Sequence, residues 1–228
     1  MQECVISIQQ QTFTNYEVWI IDGNSSDRTK EFLEKLSTPF YSVSEKDNGI
    51  YDAMNKGVSL SKGEWLYFLG ADDKLYSPST LEKVAKEFHS DVSVLSGRIQ
   101  YDFKNLNIQK RKEFFTSKWT WFLWIKNTVH HQATFYRGKL FTNKKFDSNC
   151  NVLSDYAYNL DLFKRNVNVK RIDELVAFCG LEGVSKNYNW SLYKEEINIK
   201  TRASSLFLYP VFFTLALLKY LVKKTRSK

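Results

Sequence analysis

Through the first hundred residues, short continuous apolar runs alternate with stretches whose apolar positions recur at helical spacing. That alternation predicts an α/β fold, a mostly parallel sheet flanked by helices. Val18-Trp19-Ile20-Ile21 is a β-rich run that stops at the turn cluster Asp22-Gly23-Asn24-Ser25, and Ser26 offers an N-cap for a helix from Asp27 to Leu36. A second strand over Tyr41 to Ser44 runs into Asp47-Asn48-Gly49, after which Ile50, Tyr51, Met54 and Val58 follow at helix spacing. The third, Trp65 to Leu69, ends at Gly70-Ala71-Asp72-Asp73, and Pro78-Ser79-Thr80 opens a helix through Phe88. Val92 to Leu95 is the fourth. Strand after strand thus delivers polar or acidic residues at its carboxyl end, where open α/β sheets hold their ligand crevice.

Beyond residue 100 the pattern turns irregular, with the basic, Trp-rich stretch Lys118-Trp119-Thr120-Trp121-Phe122-Leu123-Trp124. The segment Leu206 to Val222 is mostly apolar and is followed by Lys223-Lys224-Thr225-Arg226-Ser227-Lys228. Its 17 residues fall short of the roughly 20 that span a bilayer. An interfacial helix whose basic end meets an anionic membrane surface is expected, with a helix docked on the domain as the alternative.

A length of 228 residues with 43% hydrophobic and 25% charged positions and only 3 Pro suits one folded unit and excludes disordered or collagen-like classes. Aromatic content of 16% exceeds what such a core needs, so some rings are expected at a ligand or membrane surface. The net charge of +8 is uneven: residues 104–145 carry +9 and residues 219–228 carry +5, leaving −6 on the remainder. A negative body suggests a cation site, and the basic segments suggest anionic partners: phosphates, nucleic acid or anionic lipid. Cys4, Cys150 and Cys179 are too scattered for a disulfide framework or a zinc site. With no basic, then apolar, leader at Met1-Gln2-Glu3-Cys4, a cytoplasmic location is expected.

Taken singly, each acidic turn has an ordinary explanation. Asp22 and Asp27 serve as turn and cap residues as readily as ligands. Adjacent carboxylates at Asp72-Asp73 repel unless compensated, and hard oxygen ligands suit Mg²⁺ or Mn²⁺ carrying phosphates, but a solvated turn is the simpler reading. The helix start within Ser44-Glu45-Lys46-Asp47-Asn48-Gly49-Ile50 favours anions in the way any helix N-terminus does.

Together these residues resemble family 2 glycosyltransferases, inverting enzymes of the GT-A fold. Asp22, Ser25, Asp27 and Thr29 match the signature D-x-x-S-x-D-x-T, and Asn55, Gly57 and Gly63-Glu64-Trp65 lead into a DxD-type motif at Ala71-Asp72-Asp73. The stretch from Ser44 to Gly57, with His131-Gln132-Ala133-Thr134-Phe135 and Ser154-Asp155-Tyr156, is similar to a subgroup associated with envelope polysaccharide and lipid-linked oligosaccharide assembly. The resemblance covers about residues 3 to 185 and implies a GT-A domain over 1–205, with 206–228 as an apolar and basic C-terminal helix. It implies that Asp22, Asp47 and Asp72 bind the nucleotide, that Asp73 ligates Mg²⁺ or Mn²⁺, and that Asp155 is the general base. His131, Gln132 and Trp121 are the implied acceptor or diphosphate contacts, although Trp119, Trp121 and Trp124 equally suit packing. The implied partners are a UDP-linked sugar donor and a lipid-linked or polysaccharide acceptor, at the cytoplasmic face of the membrane. No nucleic-acid partner is expected, since an acidic Asp72-Asp73 turn would not help there. The family's first strand has no counterpart ahead of the helix that starts near Met1, which leaves a non-catalytic nucleotide-sugar or glycan-binding relative as the alternative.

Overall fold

The structure is a computed structural model that describes residues 1–101, 114–180 and 189–226. Part of the basic segment 104–145, residues 104–113, lies outside the described residues. The first half runs α1 (Gln2–Gln9), β1 (Val18–Asp22), α2 (Thr29–Leu33), β2 (Phe40–Ser44), α3 (Ile50–Leu60), β3 (Trp65–Tyr67), β4 (Lys74–Leu75), α4 (Thr80–Ala85) and β5 (Val94–Tyr101). The second adds β6 (Phe114–Thr116), β7 (Thr134–Arg137), α5 (Ser154–Lys164), β8 (Val169–Cys179), α6 (Trp190–Ala203) and α7 (Tyr209–Arg226), with 3₁₀ turns at Trp121–Trp124 and His131–Ala133.

β1 and β2 pair in parallel, Val18 opposite Phe40 and Asp22 opposite Ser44. A six-stranded sheet runs β3-β7-β5-β8-β4, with β6 sharing the β7 edge of β5. The α/β class holds, but the sheet is mixed rather than mostly parallel: within it only β5–β8 is parallel. The reason lies in the connections. Parallel neighbours need a long crossover, whereas β7 follows a segment of 3₁₀ turns and β4 is a two-residue return from the Asp72-Asp73 turn.

Alternation along β5 places Val94 on one face, packed with Tyr51, Tyr136, Phe141, Phe146, Tyr158 and Leu162. Leu95 faces the other way, against Val84, Phe135 and Val176. Both faces of β5 are thus covered at its start, although the strand itself goes on through Ser96, Gly97, Arg98 and Gln100. Much of the aromatic content is consumed here: Phe141 stacks on Tyr158 at 4.6 Å, Tyr67 on Phe135 at 4.4 Å and Trp65 on Phe88 at 4.2 Å.

Three predicted helices differ in extent, one of them α4, which stops at Ala85 rather than running through Phe88. The one expected from Asp27 to Leu36 is α2, because the Asp27 carboxylate accepts from the Thr29 N–H at 2.9 Å and starts the helix later than Ser26 would. The C-terminal helical stretch is longer than expected: a 3₁₀ turn at Leu206–Leu208 runs into α7, and Leu206–Thr225 is 20 residues at mean hydropathy 1.6, enough by length and composition to cross a membrane. Length therefore no longer argues for an interfacial position. Packing takes over that argument, since Phe212 and Ala216 of α7 are buried against Tyr193 and Ile197 of α6.

Candidate active site

Asp22 closes β1 and is buried, with its carboxylate turned back onto its own turn. It accepts from the Ser25 N–H at 3.1 Å, from the Ser25 hydroxyl, and from Ser44 Oγ at 2.6 Å at the end of β2. Burial pushes this carboxyl up, but the donors outweigh it and hold it below the ordinary carboxylate range. Asp47, beyond β2, reaches the same place. A Cβ on Gly23 would sit 2.7 Å from Asp47 Oδ2, so the Asp47 carboxylate lies close against the β1 turn and would have to shift to admit a side chain there.

Asp72 and Asp73 part company. Asp72 is exposed, whereas Asp73 is 4% exposed and its carboxylate accepts from Gly180 N at 3.0 Å, Gln132 Nε2 at 3.1 Å and Gly70 N at 3.2 Å. An ionised carboxylate has about four acceptor positions, so these three donors leave Asp73 one and Asp72 most of its own. A Cβ on Gly180 would lie 2.5 Å from Asp72 Oδ2, so β8's exit approaches this turn as closely as a glycine allows. The two aspartates help line an open cleft of about 660 Å³, shared with Asp27, Arg28, Thr29 and Lys74.

Among the described residues no three His, Cys, Asp or Glu side chains converge. Two adjacent carboxylates still suit an ion of the Mg²⁺ type, which is bound through one or two carboxylates together with substrate phosphates. The burial of Cys4 on the wall of this cleft pushes its thiol up to about 11, so it is no nucleophile at neutral pH.

Asp155 stands in the first turn of α5 and is 7% exposed. Its Oδ2 lies 3.0 Å from His131 Nδ1, and its Oδ1 accepts from the Tyr156 N–H at 2.7 Å and lies 3.0 Å from the Tyr51 hydroxyl. Burial raises this carboxyl, yet the hydrogen bond and charge of His131, then the Tyr156 N–H and Tyr51, bring it below the ordinary range. Asp155 is therefore ionised at neutral pH and can only accept, so Nδ1 of His131 carries the shared hydrogen. Tyr51 also lies 2.6 Å from the Val152 carbonyl, and burial beside Asp155 pushes its phenol far up.

The 3₁₀ turn His131–Ala133 joins the two carboxylate groups. Gln132 bonds Asp73, its neighbour His131 bonds Asp155, and the Tyr67 hydroxyl fixes the turn by donating to the Gln132 carbonyl at 2.9 Å. Asp73, Gln132, His131 and Asp155 thus form one line, while Asp22 and, against Gly23, Asp47 stand apart from it at the ends of β1 and β2. Trp121 is not in it: it is 59% exposed, stacked on Phe122. Sequence reasoning missed Tyr51 and Gly180 as parts of the site. Tyr51 had registered only as a helix-face residue, and its partner is 104 positions away.

The profile of glycosyl transferase family 2 matches residues 1–165. A PGL/p-HBAD biosynthesis glycosyltransferase of Mycobacterium tuberculosis is 34% identical over 180 residues, covering 76% of this chain and 68% of the relative. The chondroitin synthase of Pasteurella multocida is 26% identical over 205 residues, 88% of this chain but 20% of its own length. Among solved structures, S. aureus TarS in complex with UDP-GlcNAc superposes with a TM-score of 0.66 at 19% identity, covering 87% of this chain and 61% of that one. At that identity the likeness shows the GT-A fold alone, and the chain spans less than two thirds of that neighbour's length. The profile match and the mycobacterial relative agree: the chain belongs to glycosyl transferase family 2, the transferases that draw on nucleotide-sugar donors.

Proposed function

We propose that the chain moves a sugar from a UDP-linked donor to a hydroxyl of a lipid-linked or polysaccharide acceptor, inverting the anomeric carbon. The observation that carries this reading is the line Asp73–Gln132–His131–Asp155, which sets an acidic cleft on one side of a single turn and a buried carboxylate–imidazole pair on the other. Support for UDP comes from the TarS structures of the same fold, which hold UDP and UDP-GlcNAc.

In this reading Asp22 and Asp47 receive the nucleobase end of the donor, and Asp72 meets the ribose. Enzymes of this family and fold generally use divalent metals. Mg²⁺ or Mn²⁺, held by Asp73 with Asp72 beside it, would neutralise charge on the departing diphosphate. The acceptor oxygen bonds to the anomeric carbon as the bond from that carbon to the diphosphate oxygen breaks, and nucleoside diphosphate leaves. The acceptor's proton passes to the Asp155–His131 pair, in which the Asp155 carboxylate supplies the negative charge and the hydrogen bond to Nδ1 fixes the orientation of the imidazole. Three thiols and no disulfide suit the cytoplasmic face, and the composition of α7 suits an anionic membrane surface there. Nucleic acid is not a partner in this reading.

A thermal-shift panel of UDP and GDP, each with and without Mn²⁺, tests the donor site. A ligand of the native state at a hundred times its Kd stabilises by about 2.7 kcal/mol. The expected result is a UDP shift that requires metal and vanishes in Asp72→Ala at an unchanged starting Tm. Asp73→Ala, which strands the donors of Gly180 and Gln132, loses the shift and lowers the Tm as well. No shift with any nucleotide overturns the reading, and binding without turnover selects the non-catalytic relative.

A further inference from the structure

Folded monomers rarely leave adjacent large rings in water without a use for them. Trp121 and Phe122 are 59% and 46% exposed, and their rings stack on each other at 4.1 Å, while the next residue, Leu123, is fully buried and anchors the turn. The turn is held rigidly against the C-terminal helices. Trp124 stacks along Phe212 of α7 at 6.5 Å, and the Ile125 carbonyl accepts from Lys200 Nζ of α6 at 2.7 Å and from Lys219 Nζ of α7. The ring pair and α7 are therefore parts of one surface.

That surface is apolar and, where charged, of one sign. Leu206, Phe207, Val211, Leu218, Leu221 and Val222 are all exposed, Phe207 at 93%. No acidic residue occurs between Phe114 and Phe146, nor anywhere after Glu196. Lys118 and Lys126, both exposed, flank the ring pair, and Lys223, Lys224, Arg226 and Lys228 close the chain. An apolar face flanked by the cations Lys118 and Lys126 is complementary to an anionic lipid surface, with aromatic rings at headgroup depth.

We infer that Trp121 and Phe122 are a second point of membrane insertion and that, with α7 lying in the interface, they seat the protein on an anionic bilayer. α7 is long enough to span, but the packing opposes it. Crossing would strip Phe212 and Ala216 from Tyr193 and Ile197 and would carry Lys219 away from Glu196 or drag both into hydrocarbon. The seating also orients the site. The Tyr156 hydroxyl donates to the Leu123 carbonyl, and Asp155 is the preceding residue, so the inserted turn stands directly behind the Asp155–His131 pair. Only this last point rests on the proposed function. The membrane face itself stands without it.

The test uses the full chain with vesicles of phosphatidylcholine alone or mixed with phosphatidylglycerol, and no donor or acceptor, so its failure and that of the transfer reading are separate. Co-sedimentation should require phosphatidylglycerol and weaken with salt. The double variant Trp121→Ser, Phe122→Ser should partition about tenfold less, the equivalent of about 1.4 kcal/mol from two partly inserted rings, at an unchanged Tm because neither ring is in the core. Trp121→Phe should keep binding while losing most of the tryptophan quenching by brominated lipid. Wild-type partitioning of the double variant, or full quenching in Trp121→Phe, overturns the inference. So does a dimer in solution that the double variant converts to monomer, which would make a second copy the occupant. Protection of the C-terminal lysines from trypsin added outside the vesicles would show instead that α7 crosses.

Discussion

Lys200 offers a quantitative check on how α7 is held. Its ammonium is 2% exposed at the contact of α6, α7 and the Trp124 turn, where it shares the Glu196 carboxylate and the Ile125 carbonyl with Lys219. Two cations therefore divide one carboxylate. Burial, partly offset by Glu196 and reinforced by Lys219, lowers the Lys200 pKa from 10.5 to about 8. At 1.36 kcal/mol per unit, the native state spends about 3 kcal/mol keeping this group charged at neutral pH. Lys200→Met removes that cost, keeps the stem's volume, and leaves Glu196 and Lys219 as a balanced pair. Met cannot bond the Ile125 carbonyl, which costs about 1 to 2 kcal/mol, so a net gain of about 1 to 2 kcal/mol is expected, or roughly 2 to 8 °C in Tm for a chain of this size. The pH dependence is the sharper signature. Because the folded pKa lies below the unfolded one, the unfolded chain binds the extra proton between pH 8 and 10.5, and wild-type stability gains from this group as pH rises through that window. The advantage of Lys200→Met should therefore shrink across that window. Urea unfolding of both proteins at a series of pH values measures the difference directly, and titrating groups away from Glu196 and Lys219 cancel. A variant less stable than wild type at neutral pH, or a gap that stays constant to pH 10.5, would refute the reasoning.

Two further outcomes concern the site. Asp155→Asn and His131→Ala should each reduce turnover by about a hundredfold or more while keeping the metal-dependent UDP shift; free imidazole should restore part of the His131→Ala loss, which no structural role of the histidine would allow, and unchanged turnover in both variants would sink the base assignment. Gly180→Ala places a Cβ 2.5 Å from Asp72 Oδ2, so nucleotide affinity in the presence of Mn²⁺ should fall about tenfold with the fold intact, and wild-type affinity would mean that Asp72 does not bind the donor.

The acidic turns were legible because each ends a strand, and strand-ending turns are local in sequence. Asp22 and Asp47, set 25 positions apart, meet across Gly23 because β1 and β2 are parallel neighbours whose carboxyl ends coincide. Strand polarity in the larger sheet was not legible. It depends on how the chain returns after β5, through a region with neither helical nor strand periodicity. The partners of Asp155 were out of reach for a similar reason, since Tyr51 lies on a helix face whose apolar spacing explains it completely as core. Asp73 is the instructive case: its motif suggested a ligand open to solvent, but the fold also uses it as a buried acceptor for three donors. Trp121 lies outside the line from Asp73 to Asp155 because a 3₁₀ turn that buries Leu123 leaves its neighbours exposed, and spacing alone cannot say which tryptophan that will be.

Helix α6 links the two functional halves of the molecule through consecutive glutamates. Glu195 accepts the backbone N–H groups of Asn151, Val152 and Leu153 at 3.2, 3.1 and 2.6 Å, and so fixes the entry to α5 on which Asp155 stands. The Val152 carbonyl of the same entry lies against the Tyr51 hydroxyl that also faces Asp155. Glu196, one residue on, binds Lys200 and Lys219 and so fixes α7. Adjacent helix positions point about 100° apart, so one stiff element carries both attachments without their competing for space. The position of the candidate base is therefore referred, through α6, to the apolar helix α7 rather than to the donor cleft. For an acceptor carried by a lipid, that is the frame of reference the attacking hydroxyl itself shares.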